Sequence, residues 1–161
     1  MDVSIFLLSL SINTKGFYFF PLVTVSKVLI TTGRNEDGKQ RSSEVLDLTI
    51  KGSNECKNWP VYPITGVDGA TGGVIGESVL ICGGVSDVSN QGSYIDECFS
   101  LNRKSVKHAT YMSVPRVRAA SIVIDDTTLW VTGGSTFNEN GPAILASTEF
   151  ITMVGQILGR V

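Results

Sequence analysis

Few side chains in this 161-residue sequence have the types and spacing that chemistry requires: one histidine, three cysteines and some closely spaced charges. His108 is the single histidine, so a two-histidine metal site is excluded and a His-dependent general base would have to be this residue alone. No GxSxG nucleophile elbow occurs. Cys56, Cys82 and Cys98 show no CxxC spacing, which leaves a zinc or redox motif unsupported. Their odd number allows at most one disulfide with a thiol left over, and all three read equally well as small buried hydrophobes. Asp125-Asp126, followed by Thr127-Thr128, has the composition of a hairpin turn and only remotely that of a Ca²⁺ site. Arg116-Val117-Arg118 and Asn102-Arg103-Lys104 are too short to form a basic surface and read as solvated turn charges. The expectation is therefore no catalytic residue, no cofactor and no metal.

Bulk properties narrow the partners. Hydrophobic residues make up 42% and charged residues 17%, the balance of a globular domain with a real core. A net charge of −2 gives no electrostatic reason to expect nucleic acid or an anionic membrane surface. Two apolar runs, Ser4 to Ile12 and Phe17 to Val25, fall short of the roughly 18 residues that a membrane-spanning helix needs. Residues 1–26 read as an apolar N-terminal segment. It is either signal-like, with Asp2 where a positive n-region belongs, or a mis-assigned start. A secreted protein is favoured, with the cytoplasm as the alternative.

The elements that must position any site are written as a repeat. Lys27 to Gly33, Ser78 to Gly84 and Thr128 to Gly134 are each a β-branched, apolar run closed by glycine. Their final glycines fall at 33, 84 and 134, spacings of 51 and 50 residues. The motif is Gly83-Gly84 and Gly133-Gly134 in the later units and Thr32-Gly33 in the first. A variable loop follows each: Arg34 to Ser42, Val85 to Ile95 and Ser135 to Ala146. Then comes a strand-like stretch with a glutamate near its start, at Glu44, Glu97 and Glu149. Counting 24 residues back from Gly83 and Gly133 gives Trp59 and Ala109, so an aromatic stands there once. Small-residue segments, Gly72 to Ile75 and Ala119 to Ile124, precede the next glycine-ended strand. Four short strands per unit of about 50 residues predict an all-β chain of propeller blades.

On these motifs the sequence resembles the kelch-repeat family over residues 27 to 152. The resemblance is clearest in Met112-Ser113-Val114-Pro115-Arg116, Ala119-Ala120-Ser121 and Leu129 to Gly134. It implies blades near 27–62, 70–110 and 118–152, with residues 154–161 an irregular tail. The small-residue strand would lie innermost; in the first blade that strand could come only from Phe17 to Val25. About three blades are fewer than the four to eight that close a propeller, so a partial propeller, incomplete at both ends, is expected. The cysteines, Trp59-Pro60 and Asp96 to Phe99 also resemble kelch-bearing invertebrate proteins that carry signal peptides.

The resemblance implies a scaffold that binds an unidentified protein partner through its loops. Arg34, Asp87, Asn90, Phe137 and Asn138 are the candidate contacts. Arg116 is expected to hold backbone or a carboxylate, or to line a channel mouth. Cys82 and Cys98 should lie on neighbouring strands, where they could form the one disulfide. The alternative is a catalytic propeller, oxidase-like or hydrolytic. Copper radical oxidases of this fold need two histidines, which this chain lacks.

Overall fold

A computed structural model describes residues 5–8, 27–31, 43–47, 57–64, 66–86 and 92–153. The protein is all-β, built of small, mainly antiparallel sheets, and no helix occurs among the described residues.

The first sheet takes β1 (Ile5–Leu8), β2 (Lys27–Thr31), β3 (Ser43–Asp47) and β4 (Lys57–Trp59), in that spatial order. The middle unit contains β5 (Thr71–Ile75), β6 (Ser78–Cys82), β7 (Val85–Ser86), β8 (Ser93–Tyr94), β9 (Glu97–Leu101) and β10 (Val106–Tyr111). Its four-stranded sheet is ordered β10-β9-β6-β5, with β7 and β8 forming a separate ribbon. In the third unit, β11 (Ala120–Val123), β12 (Thr128–Thr132) and β15 (Thr148–Thr152) form the sheet, and β13 (Ser135–Asn138) pairs with β14 (Gly141–Ile144).

The cores lie between the sheets. Leu29 of the first sheet joins Val79, Ile81, Phe99 and Leu101 from one face of the middle sheet. The opposite face contributes Leu80, Cys82 and Cys98, which meet Leu129, Val131 and Ile151 of the third. Strand β6 is thus buried along its whole length, which explains why Ser78-Val79-Leu80-Ile81-Cys82 reads as a continuous rather than an alternating apolar run. Each fully buried Leu, Val or Ile contributes about 1.5–3 kcal/mol. Ser121 stitches the inner strands of this seam: its Oγ accepts from Gly72 N (3.1 Å) and Thr71 Oγ1 (2.6 Å) and donates to Gly72 O (2.9 Å).

Strand register aligns the units residue by residue. Thr31 faces Ser43, Cys82 faces Cys98, and Thr132 faces Thr148. The same position is bridged by a 2.6 Å hydroxyl contact in the first sheet and by a disulfide in the middle one. Gly84 and Gly134 sit where the connection that enters their own unit crosses at backbone distance. A Cβ on Gly84 would lie 2.9 Å from Asp68 O, and one on Gly134 would lie 2.7 Å from Val117 O. Both also have positive φ, 99° and 83°, so glycine is required twice over.

This register corrects three sequence expectations. Glu44 and Glu149 are equivalent, being one residue beyond Ser43 and Thr148, but Phe99 occupies that place in the middle sheet. Glu97 stands two residues earlier, opposite Tyr111; an even offset keeps side-chain parity, so the sequence pattern could not reveal it. The equivalent of Trp59 is Thr110 rather than Ala109, because β10 shifts register between His108 and Thr110. Finally, the strand beside β2 is Ile5–Leu8, paired in parallel, and not one from Phe17 to Val25. Phe17 to Val25, Gly33, Cys56 and 154–161 lie outside the described residues.

Candidate functional site

Two of the variable loops contain β-ribbons that follow the glycine-ended strands. In the third unit, Glu139 and Asn140 form the turn and Gly141 follows it: Gly141 has φ of 103°, and Asn138 Oδ1 accepts from Asn140 N at 2.9 Å. Register places Phe137 opposite Pro142 and Ser135 opposite Ile144, so these residues share one ribbon face. Thr136, on the other face, is buried. Phe137 is 60% exposed and Ile144 93%.

Each ribbon is anchored at its base. Ser135 and Val117 exchange two backbone hydrogen bonds of 2.8 and 2.9 Å, as do Val85 and Asp68 at 2.9 and 3.0 Å. The ribbons meet where the rings of Tyr94 and Phe137 approach to 6.0 Å between centroids. A continuous aromatic and aliphatic surface results, contributed by two units and held by backbone pairing.

Of the candidate contacts, Phe137 lies in this surface and Asn138 caps its turn, while Arg34, Asp87 and Asn90 lie outside the described residues. Tyr94, Pro142 and Ile144 were not anticipated. The available signal was Asn140-Gly141 between Phe137 and Ile144, a short-range hairpin signature.

Arg116 is removed from any such role. It is 1% exposed, with Nε donating to Glu149 Oε1 (2.8 Å) and Nη1 to Gly133 O (2.9 Å) and Ser147 O (3.0 Å). Its Nη2 donates to Ser147 Oγ at 3.0 Å, so the guanidinium clamps the third unit and lines no channel mouth. Ser113 N (2.8 Å) and Oγ (2.9 Å) fill the second carboxylate oxygen of Glu149. Burial pushes that carboxyl up, but the Ser113 N–H, Arg116 and the Ser113 hydroxyl together hold it below its ordinary range.

The remaining polar candidates are structural. Cys82 and Cys98, both fully buried, form a cross-strand disulfide. His108 is exposed on β10, with its ring 4.4 Å from that of Tyr111 and 5.6 Å from that of Phe99. Asp125 is a turn residue whose Oδ1 accepts from Thr127 N (2.8 Å) and Oγ1 (2.9 Å), which lowers its carboxyl pKa. Among the described residues no group of three or more His, Cys, Asp or Glu could hold a metal ion, and no helix is long and apolar enough to cross a membrane.

Compared by sequence, no family profile and no curated protein matches the chain. Compared by structure, it is similar to a solved protein described as the structure of YjhT, with a TM-score of 0.53 and 19% identity. The match covers 60% of this chain and 29% of that one, so the chain spans under a third of its length. At this identity the likeness is one of fold.

Proposed function

We propose that the chain is part of a kelch-type β-propeller of about three blades, acting as a protein-binding scaffold. The observation that carries this reading is the joint surface of the two ribbons, where Tyr94 meets Phe137 beside exposed Ile144. An exposed apolar surface on rigid backbone is suited to a short peptide segment with one or two large apolar side chains. Covering Phe137 or Ile144 fully would contribute about 1.5–3 kcal/mol each, at little cost in ordering because the ribbons are already paired. The repeated sheet register and the likeness in fold support the architecture. The Cys82–Cys98 bridge supports an oxidising, extracellular compartment.

Selection of a displayed peptide library on the intact chain tests the reading. Enriched peptides should carry aromatic or aliphatic anchors and lose binding to Phe137→Glu and Ile144→Glu, while binding Ile122→Glu unchanged. Failure to enrich any peptide, or binding indifferent to residues 137 and 144, would refute the ribbon surface as the site.

A further inference from the structure

The tip of the third unit's ribbon carries a chemistry that the binding surface does not use. Asn140-Gly141 is the sole Asn-Gly pair in the sequence. An asparagine side chain can bring its amide carbon to the next backbone nitrogen and close a cyclic imide, and a following glycine puts no Cβ in the way. Whether such a pair reacts in a folded chain depends on what surrounds it.

Here the surroundings are open. Asn140 is exposed, and a Cβ built on Gly141 would meet nothing within 4 Å. Asn140 is held through its backbone, N donating to Asn138 Oδ1 at 2.9 Å, and among the described residues nothing holds its side-chain amide. Asn138 and Gly141 are the last pair of the ladder, so the Gly141 amide sits where a ribbon frays at least cost. Asp68-Gly69, which could close the same ring by losing water, is the contrast. Asp68 exchanges two backbone hydrogen bonds with Val85, and Gly69 O accepts from Arg118 N at 2.7 Å. A Cβ on Gly69 would lie 3.1 Å from Arg118 Cγ. One pair is locked at a ribbon's base; the other is open at a ribbon's tip.

We propose that Asn140 is a site of spontaneous modification, at which the folded chain converts itself to aspartyl and isoaspartyl forms. Gly141 N, on losing its proton to water or hydroxide, attacks Asn140 Cγ. The N–Cγ bond forms, the Cγ–Nδ2 bond breaks, and Nδ2 takes up a proton and leaves as ammonia. Water then opens the imide. Attack at Cγ restores the original backbone and leaves a side-chain carboxylate. Attack at the backbone carbonyl carbon routes the chain through Cγ, which is the isoaspartyl form. Either product adds a negative charge beside Glu139. The isoaspartyl product also lengthens the turn by one backbone carbon. Phe137 and Ile144 ride on the two strands which that turn joins, so the lengthened form shifts one against the other and the ribbon loses its pairing with age.

Ageing the full chain at neutral and mildly alkaline pH tests this, with peptide mapping by mass spectrometry and enzymatic methylation of isoaspartyl carboxylates as readouts. Residue 140 should convert ahead of Asn102, a turn asparagine whose Oδ1 accepts from Lys104 N and Ser105 N. Conversion should release ammonia and speed up as pH rises, while Asp68 stays unisomerised. The isoaspartyl fraction, separated by charge, should lose hydrogen-exchange protection across residues 135–144. Asn140→Asp, which adds the charge without lengthening the turn, should keep that protection. None of these readouts depends on peptide binding, so they stand apart from the scaffold reading. Conversion at residue 140 no faster than at Asn102, isomerisation of Asp68 at a matching rate, or an isoaspartyl fraction with its ribbon protection intact would overturn the proposal.

Discussion

At the connection entering the middle sheet, Val67, Tyr62 and Phe99 close the space beside Gly84. At the connection entering the third, Arg116, which holds the position matching Val67, pairs with Glu149 and donates to Gly133 O. The correspondence is positional: Asp68 and Val117, the next residues along, make the same bridge to Val85 and Ser135, and Phe99 and Glu149 share a register place. One place is thus filled mainly by apolar and aromatic side chains, and the other by an ion pair whose guanidinium also donates to two backbone carbonyls and the Ser147 hydroxyl. The apolar version tolerates loss of a member as a cavity. The ionic version is tolerable only while every partner is present, because a lone buried charge is left if one is removed.

The largest expected effect follows from that asymmetry. Arg116→Ala should cost about 3–5 kcal/mol in denaturant unfolding, since Glu149 then loses its counter-charge and Gly133 O and Ser147 O lose a donor. Val67→Ala, its counterpart, should cost less, about 1–2 kcal/mol for a small cavity. A cost for Arg116→Ala no larger than for Val67→Ala would break the comparison.

Loss of the Cys82–Cys98 bridge, by a double alanine variant, should cost about 3 kcal/mol, given its sequence separation of 16 residues. The third sheet has Thr132 and Thr148 at that position without a covalent link, so hydrogen exchange should show the middle sheet losing most of its protection. Equal loss in both sheets would indicate that the bridge acts on the chain as a whole.

The seams should also fail at opposite ends of the pH scale. The folded carboxyl of Glu149 is held below its ordinary value of 4.5. Its contribution is complete above that value and is lost as pH falls through the depressed one. Tyr62 behaves in reverse. Burial, and secondarily Glu97, push its hydroxyl above the ordinary 10.0, so its contribution is complete below that value and is lost as pH rises. Among the described residues its buried hydroxyl has no hydrogen-bond partner, which makes Tyr62→Phe near neutral at pH 7 and protective in base. Unfolding midpoints of Tyr62→Phe and Glu149→Gln against pH would check both directions.

The smallest effect concerns backbone. Arg118 has φ of 57°, whereas the equivalent position in the middle unit is Gly69, at 68°. Arg118→Gly should stabilise by about 0.5–1 kcal/mol by removing left-handed strain.

Much of this architecture was legible in the sequence, for a physical reason. Glycine pairs at a fixed period mark places where backbone crosses backbone, and a run such as Ser78 to Cys82 marks a strand covered on both faces. What escaped was the detail that parity and loop composition hide. A glutamate two residues out of register points the same way, as Glu97 shows. The one-residue bulge in β10 carries no composition signal. Ribbons inside polar loops were missed although Asn140-Gly141 announced one, and with them went Tyr94 and Ile144 of the candidate site.

The equivalence of the two seams is tested most directly by transplanting one into the other. Arg116→Val, Glu149→Phe and the double variant, which copies Val67 and Phe99, should be compared by denaturant unfolding in one cycle. Each single change should be strongly destabilising, and the double variant should cost less than the two single changes added together, because no lone buried charge is left although Gly133 O, Ser147 O and Ser113 N lose their partners. Single-variant costs that simply add in the double variant would contradict the account.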